Sequence, residues 1–138
     1  MSRVAHRGRS PQCVTPRRFA VRYAERMPNF EKLDAYRVSI ELTQLAFRIS
    51  DSLPRGYSSL ADQLRRAAMS VPLNIAESHG KTGTPDRKRY YAIARGSVME
   101  CFAILDVARL LPDARLPETE AAKELADRAA AMLSKMSL

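Results

Sequence analysis

Four stretches of this chain repeat apolar residues every three or four positions. Each is cut off from the next by a segment that breaks helices: LPRGYSS from Leu53, HGKTGTPD from His79 and LPDARLPE from Leu111. A period near 3.6 residues is that of an amphipathic helix, and links this short bring consecutive helices side by side. The chain is therefore expected to be all-α, an antiparallel up-down four-helix bundle. Its 138 residues are material for one core. Helices are expected over Leu33 to Leu53, from Ser58 or Ser59 to about Gly80, from Pro85 to about Leu111, and from Pro117 to about Lys135. A hydroxyl of Ser58 or Ser59 should cap the second, and Thr84, ahead of Pro85 and Asp86, should cap the third. Residues 1–28 read as a disordered basic extension and 29–138 as the bundle domain.

The first helix is apolar on two opposed faces. A helical wheel puts Leu33, Tyr36, Ile40 and Phe47 on one, and Val38, Leu42, Leu45, Ile49 and Leu53 on the other. Packing once onto its own bundle cannot cover both. Burying one Leu or Ile is worth about 1.5–3 kcal/mol, so leaving five such residues wet is a large loss and an aggregation hazard. Self-association through Val38, Leu42, Leu45 and Ile49 is the expected remedy; the alternative is cover by the N-terminal segment or another part of the same chain.

Leu60, Leu64, Ala67, Val71 and Ile75 form the core stripe of the second helix. Pro72 removes the amide that would bond the carbonyl of Ala68, which predicts a bend. Beside the stripe runs a polar lane, Gln63, Arg66, Ser70, Asn74 and Glu77. If the second and third helices are antiparallel neighbours, Arg66 is level with Glu100, and Glu77 with Arg87 or Arg89. The expectation is a structural polar network with an Arg66–Glu100 and a Glu77–Arg89 ion pair. On the third helix Tyr90, Ala94, Ser97, Val98, Cys101, Leu105 and Ala108 read as core, with Gly96 admitting a close neighbour. On the fourth, Ala122, Leu125, Ala129, Met132 and Met136 do.

Net charge is +8, but it is unevenly spread. Residues 1–29 hold seven Arg against Glu25 alone, so the rest of the chain carries only +2. That N-terminal segment is Arg-rich and acid-poor like an organellar presequence; a disordered extension, from a start codon assigned upstream of Met27, explains it more simply. Cys13 and Cys101 lie too far apart in sequence for a local disulfide or thiol metal motif, in keeping with reduced, cytoplasmic thiols. No apolar run reaches the ~18 residues needed to span a bilayer, so no membrane partner is expected.

Catalytic chemistries find little support. The histidines are His6 and His79 alone, and neither belongs to a Glu-x-x-His pair of the kind a di-metal bundle needs. His79 beside Gly80 reads as a helix-terminal residue favoured by the dipole. Cys101 sits on a core stripe with no histidine in register, and HGKTGT lacks the spacing of a phosphate loop. Neither enzyme activity nor a cofactor is expected. Nucleic-acid binding has more behind it: Lys81, Arg87, Lys88 and Arg89 precede Tyr90 and Tyr91, and Arg65 adds a further cation. Repeated around an oligomer, such a patch becomes a phosphate-binding surface; the alternative is a solvated charged edge.

At FEKLDAYRVSIELT, SLADQLRRAAMSVPLNIAES and ARGSVMEC the chain resembles the four-helix bundle proteins encoded in intervening sequences of bacterial 23S ribosomal RNA genes. The resemblance covers about residues 29–135. It rests on the QLRRAA-x-S-x-P-x-NIAE string and a later GS-x-x-E, onto which fall Gln63, Arg66, Ser70, Pro72, Asn74, Ile75, Ala76, Glu77, Gly96, Ser97 and Glu100. Ser78 stands where that family usually has glycine. The resemblance implies a homopentameric ring of bundles without known catalytic activity. A related branch accompanies the reverse transcriptases of diversity-generating retroelements, where the ring is thought to engage enzyme and RNA. The expectation is thus an oligomeric interaction protein that contacts RNA or a nucleic-acid enzyme, the alternative being a protein-binding scaffold with no nucleic-acid role.

Overall fold

The computed structural model describes residue 30 and residues 33–112 and 116–138. The N-terminal extension expected at 1–28 lies outside them. Among the described residues there are four α-helices and no strand: α1 Asp34–Ser52, α2 Ser58–His79, α3 Thr84–Ala108 and α4 Thr119–Met136. Each helix packs on the next one in the chain, and α4 closes back on α1.

The breakers act locally as their chemistry requires. Pro54 holds Leu53 in extended backbone and ends α1. Gly56, at φ 97°, then turns the chain in the left-handed region that only glycine enters freely. Pro85 and Asp86 lie in the first turn of α3, where a missing amide costs nothing and a carboxylate meets the positive end of the dipole. The hydroxyl caps are a correction. Ser58 and Thr84 are already helical, the flanking positions are Tyr57 and Gly83, and neither start has a side-chain cap bond.

Leu42, Ile49, Leu64, Val71, Ile75 and Val98 are almost fully enclosed, as are Cys101, Leu105 and Leu133. At about 1.5–3 kcal/mol for each large apolar side chain, these layers supply most of the driving force. Ala122, Ala126 and Ala129 let α4 approach closely. Tyr91 is more deeply placed than Tyr90.

α1 corrects the expected oligomer face. Val38, Leu42 and Ile49 are at most 4 % exposed within a single chain, and Leu45 is half-buried against the same core. On the other face Leu33 and Tyr36 are half-buried against the core, and what is left in solvent is Ile40, 45 % exposed, and Phe47, 37 % exposed. Small neighbours explain the choice. Ser39, Ala46 and Ser50 flank the Val38–Leu42–Ile49 stripe and are buried with it, bringing the backbones of α1 and α2 together.

That approach is visible at Pro72, through which α2 runs without interruption. The Oγ1 of Thr43 on α1 donates to the carbonyl of Ala68 at 3.0 Å, the acceptor that Pro72 leaves without its helical amide. The same hydroxyl lies 2.8 Å from the carbonyl of Ser39, which α1's own ladder already serves. Lower down, Ser50 Oγ donates to the carbonyl of Ala61 at 3.2 Å.

The polar lane is only partly structural. Ser97 Oγ on α3 donates to Ser70 Oγ on α2 at 2.8 Å, and Asn74 Nδ2 donates to the carbonyl and hydroxyl oxygens of Ser70 at 2.8 and 2.9 Å. Gln63, Arg66, Glu77 and Glu100 instead stand exposed. Neither expected ion pair forms among the described residues: Glu77 meets Lys81 at 3.5 Å, and Arg66 and Glu100 have no ion-pair partner. Long, strongly hydrated side chains gain little by leaving water for such a pair, whereas short serine and asparagine groups satisfy each other within the helix contact.

Candidate nucleic-acid interface

The turn between α2 and α3 gathers the basic residues that precede Tyr90. α2 closes with the Gly80 and Lys81 amides donating to the carbonyls of Glu77 and Ser78 at 3.0 and 3.2 Å. This brings the Lys81 ammonium to 3.5 Å from Glu77 Oε1 and 4.8 Å from the centre of the Tyr90 ring. Hydrogen bonding and charge from Tyr90, with Glu77 adding, hold the Lys81 pKa above its ordinary value. Arg87 Nε donates to the carbonyl of Lys81 at 2.9 Å, so both side chains help fasten the turn. Lys88 and Arg89 are exposed and have no ion-pair partner among the described residues.

Arg65 does not join them. It lies four turns back along α2, about 20 Å away, where its guanidinium meets Asp51 at 2.7 Å and Asp62 at 3.3 Å. There it lines a surface hollow of about 310 Å³ at the α1–α2 link, beside Ser50, Arg55 and Tyr57. Two carboxylates already occupy it, so it belongs to a separate, locally neutralised cluster. The basic site thus contracts to Lys81, Arg87, Lys88 and Arg89.

Beneath the turn, His79 behaves as a helix-terminal residue. Its Nδ1 lies 3.2 Å from the carbonyl of Ile75, and its ring meets Tyr91 and Phe30 edge-on, at 6.4 and 5.9 Å between centres. Phe30 in turn packs edge-on against Tyr36 at 5.0 Å. These aromatic rings close the end of the core under the basic turn; only the aromatic spacing around FEKLDAY hinted at them. Cys101 is enclosed, and burial, with Glu100 adding, pushes its thiol up to about 12. A neutral thiol of that kind is a packing group rather than a nucleophile. The described residues hold no group of three or more His, Cys, Asp or Glu side chains placed to bind a metal. None of the described helices is long and apolar enough to cross a membrane.

A single-core bundle of four helices, bridged by serine and asparagine and carrying cations at one turn, defines a class of small helical proteins. Within it, residues 31–135 match the sequence model of the 23S rRNA-intervening sequence protein family, and the chain belongs to that family. A search of curated proteins gives no match. The family is not a known enzyme family.

Proposed function

We infer that the protein is a non-enzymatic, cytoplasmic interaction factor. It is an up-down bundle of antiparallel helices that self-assembles, as the homopentamer its family resemblance implies, and contacts RNA or a nucleic-acid enzyme such as a reverse transcriptase. The order of contacts along neighbouring helices supports the antiparallel reading, since Thr43 meets Ala68 while Ser50 meets Ala61. The observation that carries the functional reading is the basic turn, where Lys88 and Arg89 stand free in solvent above the fastened Lys81 and Arg87. One such turn is weak; several around a ring sum into a field that draws phosphates and fails with salt.

A salt-titrated RNA-binding measurement on the whole chain tests this. Affinity should fall steeply and linearly on logarithmic axes as salt rises. Absence of binding at low salt would favour the second reading, a protein-binding scaffold, for which the solvent-exposed apolar side chains Ile40, Met69, Leu73 and Met99 speak.

A further inference from the structure

The described surface carries two separate apolar faces. One spans α1 and α2, with Ile40, Phe47, Met69 and Leu73, the last 66 % exposed. The other is the outer side of α3, where Ala92, Gly96, Met99, Ala103 and Val107 follow one another at spacings of three and four, Met99 being 51 % exposed. That periodicity marks one side of a helix prepared to pack, opposite the side that already faces the core through Ala94, Val98, Cys101 and Leu105. Between the faces stand Arg66 and Glu77 on α2 and Arg89 and Glu100 on α3, all exposed.

Gly96 sharpens the reading. Glycine is a poor helix residue, and no atom lies within 4 Å of where its Cβ would stand, so nothing inside the subunit requires it. The room it leaves lies outside. The α1–α2 face presents large side chains, and on the α3 face Ala92, Gly96 and Ala103 leave recesses beside Met99 and Val107 that can receive them.

Charge fixes the register. Arg66 on α2 and Glu100 on α3 are exposed, and neither has an ion-pair partner among the described residues. Rotation about an axis parallel to the bundle keeps every residue at its own height. It sets α2 of one copy antiparallel to α3 of the next, with Arg66 level with Glu100. The Arg66–Glu100 pair that does not form within a subunit is then available between subunits.

We propose that the α1–α2 face of one copy packs on the outer side of α3 of a second copy, with Arg66 opposite Glu100 across the contact. This rests on the self-assembly reading and adds its geometry: two different surfaces meet, so the contact is head-to-tail and does not stop at a two-fold dimer. The charge complementarity of Arg66 and Glu100 at equal height is what points to a second copy as the occupant.

Sedimentation of the full chain and of two face variants decides the matter. Met69→Asp with Leu73→Asp blocks one face, and Met99→Asp with Val107→Asp blocks the other; the replaced side chains are exposed, so both variants should keep native helicity and a cooperative melt. Wild type should run as an oligomer and each variant alone as a single subunit. An equimolar mixture of the variants should form a one-to-one dimer, because each supplies the face the other lacks. Arg66→Glu should weaken wild-type assembly by roughly tenfold or more, and adding Glu100→Arg to the same chain should restore it. If wild type assembles but the mixture does not pair, or the α3 variant still self-associates, the head-to-tail contact is wrong while self-assembly stands. If wild type sediments as a single subunit, self-assembly falls and the contact with it.

Discussion

Pro72 has no amide to offer the carbonyl of Ala68, and a side chain from another helix makes up the loss. Thr43→Val keeps the shape at that point but removes the donor, leaving a carbonyl in the α1–α2 contact without a partner. The expected cost is about 1–3 kcal/mol in chemical denaturation. In a Pro72→Ala background the restored amide serves Ala68, so the same substitution should cost less, and a double-mutant cycle with no coupling would remove the assignment. Cys101 makes a second prediction at this scale. Its thiol, ordinarily near 9.0, is pushed up to about 12 by burial, so the folded chain keeps a proton that the unfolded chain releases. Linkage then gives stability that is fully present below the ordinary thiol pKa and declines as pH rises from about 9 toward 12. Cys101→Ala should flatten that part of a denaturation-versus-pH curve. The stripe that contains Cys101 was legible because seven positions on one period all read as core; the partner of Ala68 was not, because Thr43 is 25 residues away and only packing brings it there.

At the scale of elements, helix periodicity located all four helices to within a few residues, and the errors sit where local chemistry is degenerate. A serine or threonine ahead of an apolar run serves equally as cap or as first helical residue. At Ser58 and Thr84 it is the latter, with Tyr57 and Gly83 in the flanking positions. α1 shows a deeper ambiguity. Two opposed apolar faces are equivalent on a wheel, and the bundle chose the one whose small neighbours allow α2 to come close. α3 has the same two-faced character, concealed in the sequence by the alanines and glycine on its outer side. Gly96→Ala should raise helix stability by about 0.5–1 kcal/mol, since a Cβ there meets nothing within 4 Å in the subunit. The check is a thermal melt in the Met99→Asp, Val107→Asp background, where assembly is blocked. In the otherwise native chain the same substitution should weaken association, because the added methyl fills the recess.

For the molecule as a whole, the distribution of charge matters more than its total. Arg65 is consumed by Asp51 and Asp62, while Lys81 and Arg87 are occupied with their own turn. Lys88 and Arg89 remain to meet an anion. Reversing both to Glu should therefore make the logarithmic salt slope of RNA affinity shallower by about 0.7–0.9 for every phosphate the turn no longer neutralises. Unfolding free energy should change little, because both side chains are exposed. Equal loss of folding stability and binding would instead mean that the turn is structural.

The amino-acid sequence alone determined the class of fold, the four helices, most of the core and the family, because each is written in local periodicity, in Pro and Gly punctuation or in a contiguous motif. Tertiary structure decided which side of α1 faces inward, which polar residues bridge helices and which cations stay free. Those outcomes depend on how closely two backbones can approach and on which partner lies within hydrogen-bonding reach, distances that a one-dimensional pattern does not contain.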